Sequence, residues 1–469
     1  MTALKSMAYY GISVAIIKGS SLIMLPITTS FVDIASYGVL NLLSSFVSIA
    51  GLILTLGLGE SLYRFASDKR SKRPADVYKW CYTVSLVGCF SLVFIAYLFN
   101  DYLISLFPLE VETYQFNWVL TTLLCSALAT VPYAMWRYQG QVQKYFAFAV
   151  GVSLVQTVIT LVLLNMGMGI DAVLLSGALS NAFFTGILLL VHRRLFSLQV
   201  LQKSVVKWQY SLSIMLASCI SFVLQGSEQW IIASKLGATS LASYFIAAQL
   251  GVAVSIAVEP YKLWWFARRH KSVDNPDINN PLFSVLGVEL TLISALVMMA
   301  VMPLLLTYIM PEAYLGAIEW LGWLCVVAVI KTHAEMLNLG CYVKLGGKSP
   351  LVINAIAAVC MLCLSLNLVQ PLGLLGIIIS VALSHSVRAI LFIVVSQKLL
   401  PQAYSRFRLL TVGTSLLAGF IAYQTASFGA VVAITCLYGV SVLVAYKDLY
   451  LERLMRSIRR HQTQAVGKL

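Results

Sequence analysis

Apolar blocks close to twenty residues long recur from one end of the chain to the other, each bounded by a short polar break. About twenty residues of α-helix span the roughly 30 Å hydrocarbon core of a bilayer. The blocks predict spanning helices near 7–28, 38–58, 79–98, 117–136, 145–166 and 170–192, then near 210–234, 239–265, 284–308, 317–341, 350–369, 372–398, 407–425 and 427–446. These make about fourteen, the last two being additions to a core of twelve. Transmembrane barrels instead alternate over segments of about ten residues. The expected fold class is therefore all-α and polytopic. The first block runs into Pro26 and a turn without a small-residue cleavage pattern, so it is expected to stay as an anchor.

Composition agrees with the pattern. Of 469 residues, 60% are hydrophobic and 11% charged, with a mean hydropathy of +0.87, whereas a soluble domain carries about 25% charged residues. The formal net charge of +14 would suit nucleic acid, but its placement says otherwise. In the register above, 27 of the 32 Lys and Arg fall on one side of the membrane and only Lys235 on the other; Lys18, Lys262, Lys331 and Arg388 lie in or near helices. Basic residues collect in cytoplasmic loops, so both termini are expected to be cytoplasmic and no nucleic-acid partner is implied.

No loop is long enough for a soluble domain. The connection 193–209 is basic and amphipathic (RRLFSLQVLQKSVVKW) and is expected to lie on the anionic inner leaflet. It divides the chain into a lobe at 1–192, a second lobe at 210–398, and two further helices with a basic tail at 399–469. An internal repeat supports the division. Ala35-Ser36-Tyr37 recurs as Ala242-Ser243-Tyr244, Val47-Ser48-Ile49-Ala50 as Val254-Ser255-Ile256-Ala257, and Phe65-Ala66 as Phe266-Ala267. Both copies occupy the second helix of their lobe with the same orientation, as parallel repeats about an axis normal to the membrane require.

Catalytic and cofactor motifs are not supported. Gly346-Gly347-Lys348-Ser349 looks like the end of a phosphate-cradling loop, but Tyr342 stands where its first glycine belongs. The histidines show no metal spacing. The nine cysteines, Cys360 and Cys363 included, fall almost wholly in apolar blocks and read as small packing residues. Hydroxyl and amide side chains carry no spacing that singles out a sugar.

What remains is charge inside the membrane, which is expensive and marks pathways. Lys18 lies near the middle of the first span, as an anion contact or as the partner of an acidic residue elsewhere. Glu228 lies well inside the seventh span, as an ion site or as that partner. Glu259 and Lys262 are spaced to neutralise each other, and Lys331 and Glu335 form a second helical pair. Arg388 lies past the middle of the twelfth span, and Glu289 has no partner that spacing identifies.

Lys18-Gly19, Leu25-Pro26, Thr29, Tyr37-Gly38, Leu56-Gly57-Leu58 and Arg64-Phe65, with Glu228 to Ile232, Leu236-Gly237 and Tyr244 in the second half, resemble the polysaccharide flippases. These belong to the multidrug/oligosaccharidyl-lipid/polysaccharide exporter superfamily, O-antigen (Wzx-type) flippases among them. Relatives often place an Asp-Arg pair where this chain has Glu228-Gln229, and twelve helices are usual for O-antigen flippases. The resemblance implies a bacterial inner-membrane protein that moves an undecaprenyl-diphosphate-linked oligosaccharide from the cytoplasmic to the periplasmic leaflet by alternating access, and is not an enzyme. A polysaccharide polymerase and chain-length proteins are the partners it implies.

A diphosphate leaving the interface would be stabilised by a cationic cavity of Lys18, Arg64, Lys262, Lys331 and Arg388. With no nucleotide site and no cofactor expected, Glu228 or Glu335 is the candidate group for coupling to H+ or Na+. A drug/cation antiporter of the same superfamily should favour acidic cavity groups. A polymerase or glycosyltransferase should carry a large outward loop, and a structural subunit gives Lys18 no purpose.

Overall fold

The computed structural model describes residues 3–66, 74–202, 206–269, 279–343 and 348–447. The basic cluster beyond Arg64, Lys203, the glycines of Gly346-Gly347 and the tail after Lys447 lie outside these. Described residues form helices only: α1 (Ala3–Phe31), α2 (Ile34–Thr55), α3 (Leu58–Ala66), α4 (Pro74–Leu98), α5 (Asn100–Ser105), α6 (Thr113–Tyr138), α7 (Val142–Asn165), α8 (Ile170–His192), α9 (Trp208–Arg269), α10 (Asn280–Ile309), α11 (Ala317–Met336), α12 (Leu339–Val343), α13 (Lys348–Leu399), α14 (Arg406–Gln424) and α15 (Phe428–Ala445), with short 3-10 turns between some of them.

Two of these helices are hairpins. In α9 the Tyr244 hydroxyl donates to Glu228 Oε1 at 3.3 Å, although sixteen residues of straight helix would separate them by roughly 24 Å. The reversal is at Gly237, whose φ of 81° lies in the left-handed region that favours glycine. In α13, Arg388 Nε donates to Asn354 Oδ1 at 2.9 Å across 34 residues, and Gly373 at φ 58° makes the turn. Among the described residues, ten helical stretches are long and apolar enough to cross a membrane. Counting α9 and α13 twice, and adding α1 and α14, gives the fourteen spans expected.

An even number of crossings returns both described ends to one side, called here the near side. Exposed apolar side chains such as Ile23, Phe94, Leu190 and Leu437 form the lipid-facing surface. α1, α2, α4, α6, α7 and α8 pack together, as do α9, α10, α11 and α13, and α2 against α9 is the principal joint between the two groups. α14 and α15 pack on α10.

The connection before α9 is in part folded onto the protein. It is two 3-10 turns, Arg193–Leu195 and Leu198–Gln202. Val200 and Val206 are buried with Leu62 and Trp80, and Ser197 N donates to Thr83 Oγ1 at 3.1 Å. Phe196, Leu198 and Leu201 are exposed, so the segment turns one apolar set to the protein and another outward.

Candidate functional site

Three helices carry charge into the spanning region near the termini. Lys262 and Arg269 lie toward the end of α9, Lys331 and Glu335 toward the end of α11, and Arg388 in the returning half of α13. Lys262 Nζ pairs with Glu335 Oε2 at 2.8 Å. Arg269 Nη1 donates to the Glu335 carbonyl and to Asn338 Oδ1, both at 3.0 Å. Lys331 interacts electrostatically with Glu228, Arg388 and Glu335. His385, fully buried, faces Lys331 and Arg388, and neither of its ring nitrogens has a hydrogen-bond partner. Four cations thus face Glu228, Glu335 and, three residues before Lys262, Glu259. The basin is net positive, and its cations are held by partners on neighbouring helices.

A second feature lies apart from it. A cavity of about 490 Å3 lies between α1, α2, α7 and the returning half of α9, with Val173 and Asn181 from α8. Its polar wall is Ser20, Ser21 and Thr28 of α1, Asn41 and Ser44 of α2, Ser153, Gln156, Thr157 and Thr160 of α7, and Gln249 of α9. Tyr37 and Phe245 supply aromatic surface, and no Lys, Arg, Asp, Glu or His lines it. Ser20 and Ser153 hydroxyls are 2.9 Å apart, and Gln249 Nε2 donates to Ser21 Oγ at 3.3 Å. Thr157 donates to the Ser153 carbonyl of its own helix, which leaves its oxygen as an acceptor, while the Thr160 hydroxyl is also 2.6 Å from the Ser176 hydroxyl.

The predicted residues divide between these places. Lys262, Lys331, Arg388, Glu228 and Glu335 gather in or beside the basin. Lys18 is exposed on α1 and makes no ion pair with a described residue. Its neighbour Ile17 lines the polar cavity, so Lys18 stands at the edge of the face that α1 turns to it. Arg64 is exposed on α3, its guanidinium 4.9 Å from the Tyr210 ring, away from both.

Three expected pairings are corrected. Lys262 pairs with Glu335 across helices and not with Glu259; Lys331 consequently faces Glu228 as well as Glu335; and the cation facing Glu228 is Lys331 rather than Lys18. A salt bridge between neighbouring helices satisfies both groups away from lipid, whereas an i,i+3 or i,i+4 pair is worth only about 0.2–0.5 kcal/mol. Arg269 joined the loop cations in the sequence reading, yet it is 9% exposed. Glu289, unassigned from spacing, pairs with Arg408 of α14 at 2.5 Å. All nine thiols are free, and no metal-binding group of His, Cys, Asp and Glu occurs among the described residues.

No curated protein matches the chain in sequence. Solved structures match it in fold. The lipid II flippase MurJ in an inward closed conformation is 14% identical over 96% of this chain and 100% of its own, with a TM-score of 0.66. An outward-facing multidrug resistance MATE transporter of the MOP superfamily is 16% identical over 84% and 95%, with a TM-score of 0.58. A superfamily transporter from Pyrococcus furiosus, described by the reverse polarity of its binding pocket, is 16% identical over 84% and 95%, with a TM-score of 0.57. A family profile described as polysaccharide biosynthesis protein matches residues 3–262, more than half the chain, and the chain therefore belongs to that family, with a fold like that of these transporters.

Proposed function

We propose that this protein is a flippase for an undecaprenyl-diphosphate-linked oligosaccharide, moving it from the cytoplasmic to the periplasmic leaflet for O-antigen-like surface polysaccharide. The observation that carries the reading is the net-positive basin of Lys262, Lys331 and Arg388 toward the near-side end of the spanning region, with Arg269 just beyond it. A diphosphate loses its hydration on leaving the interface, and charge-assisted hydrogen bonds from fixed cations offset part of that cost. Lys18, at the rim of the polar cavity, would receive the headgroup as it crosses, and Arg64 would attract it at the near surface.

In this reading the protein acts in the bacterial inner membrane with both termini cytoplasmic, beside a polysaccharide polymerase and chain-length proteins. Lobes 1–192 and 210–398 rock against each other about the 193–209 connection, with 399–469 riding on the second. The transport cycle exchanges partners in the basin: Lys331 leaves Glu228 for the diphosphate, and the released carboxylate takes up H+ or Na+, with Glu335 as a second coupling group. The likeness to MATE transporters supports a drug/cation antiporter as the alternative, and the excess of cations counts against it.

Complementation of a flippase-deficient strain tests the proposal. Wild type is expected to restore surface polysaccharide. Lys331→Gln and Arg388→Gln should each reduce flux about tenfold, the equivalent of one charge-assisted contact of about 1.4 kcal/mol. Lys18→Ala should also impair rescue. Full rescue by all three variants would remove the cationic basin and Lys18 from the mechanism, and no rescue by wild type would overturn the substrate. Under an imposed proton gradient Glu228→Gln is expected to lose the accelerating effect of the gradient, and unchanged flux would exclude Glu228 from coupling.

A further inference from the structure

We infer that the uncharged cavity between α1, α2, α7 and α9 is a glycan subsite, holding neutral sugar units while the cationic basin holds the diphosphate. The inference rests on the flippase reading above and adds a second place to it. Hydroxyl groups of a sugar need neutral donors and acceptors, and the cavity wall presents hydroxyls and amides without one carboxylate, ammonium or guanidinium. A cationic drug would find no counter-charge there.

Two wall atoms await a partner. Asn41, 3% exposed, has a side-chain N–H2 with no acceptor, and Gln249 Oε1 has no donor. Buried polar atoms left unpaired are costly, and this donor and acceptor lie on neighbouring helices, α2 and α9, where small rotations of the two amides bring both to a ligand that offers an acceptor and a donor. Tyr37 and Phe245 give flat apolar faces for the C–H side of a pyranose ring. The volume of about 490 Å3 lies in the range of small-molecule sites, about 300–1,000 Å3.

One helix joins the two subsites. Gln249 borders the cavity and Lys262 the basin, both on the returning half of α9. Thirteen residues of helix separate them by roughly 20 Å. A glycan that reaches from diphosphate to cavity must therefore be longer than one sugar, which selects for an assembled oligosaccharide over an unfinished one.

The test compares two lipids on the purified full-length protein in detergent. The first is the undecaprenyl-linked glycolipid that accumulates in the source cell when this gene is deleted, and the second is undecaprenyl diphosphate. Wild type is expected to bind the glycolipid about tenfold tighter. Asn41→Leu removes the unpaired donor, and Thr157→Trp fills the cavity without touching it; each should erase the difference and leave undecaprenyl diphosphate binding within about twofold. Thermal melting confirms that each variant is folded. Equal binding of the two lipids by wild type, a difference that survives in either folded variant, or a parallel loss of both lipids would each overturn the glycan subsite while sparing the flippase reading. Binding of neither lipid by wild type would overturn that reading itself.

Discussion

Glu289 is fully buried on α10, and its nearest cation is Arg408, whose Nε donates at 2.5 Å from the first turn of α14. The guanidinium also lies 4.8 Å from the Tyr446 ring at the end of α15. A carboxylate at zero exposure is tolerable only while paired, so this ion pair fixes the C-terminal hairpin in place more than it stabilises it. Arg408→Leu is expected to cost about 3–5 kcal/mol by stranding Glu289, read as a lowered melting temperature in detergent. The double variant Glu289→Leu/Arg408→Leu should recover most of that loss, because a buried pair is often replaceable by apolar side chains of similar volume. If the double variant melts no higher than Arg408→Leu, the pair does more than neutralise itself. Spacing could not have revealed this partnership: 119 residues separate the two side chains. Lys262 carries the same lesson, since the near acidic neighbour Glu259 loses to Glu335, 73 residues away. Intramembrane charge is readable one residue at a time, and its pairing is a property of helix packing.

Helix α7 shows what was legible at the scale of an element. Ser153, Gln156, Thr157 and Thr160 stand at i, i+3, i+4 and i+7, one polar stripe on an otherwise apolar helix, and all four face the cavity. Ser20, Ser21 and Thr28, at i, i+1 and i+8, share one face of α1. Neutral hydroxyls did leave a periodic signal, one that reading for charge alone passes over. The tight joint between the α1–α2 turn and the Gly237 turn of α9 carries a prediction of its own. Tyr37 meets Tyr314 edge-on at 5.8 Å, the Tyr314 hydroxyl donates to the Val32 carbonyl at 2.6 Å, and a methyl group on Gly38 would overlap the Ala238 carbonyl oxygen. This joint lies on the far side and closes that end of the cavity. Gly38→Ala is expected to part it, so that a cysteine at Asn41, just inside, reacts from the far side about tenfold faster with a membrane-impermeant thiol reagent than in the Gly38 background. An unchanged rate would mean that the joint is not the closure.

Across the whole molecule, hydropathy was nearly sufficient for the fold, because a bilayer forces every backbone group into a helix and every helix to one length. The expected boundaries of α4, α7, α8 and α15 fall within a few residues of those observed. The exceptions are short pieces: α3 and α12 on the near side, α5 on the far side, and the 193–209 connection, where Val200 and Val206 are buried against protein. Orientation rests on a different signal, the 27 basic residues assigned to one side against Lys235 on the other. Positive charge resists translocation, so the near side should be the cytoplasm. Alkaline phosphatase, active only outside the cytoplasm, tests this when fused at successive turns. Fusions after Asp101, Met168 and Thr425, on far-side turns, should be active, and fusions after Gln139 and Lys447 inactive. The opposite pattern would place the cationic basin at the outer leaflet, where a lipid-linked donor made in the cytoplasm could not reach it, and the proposed direction of transport would fall with the orientation.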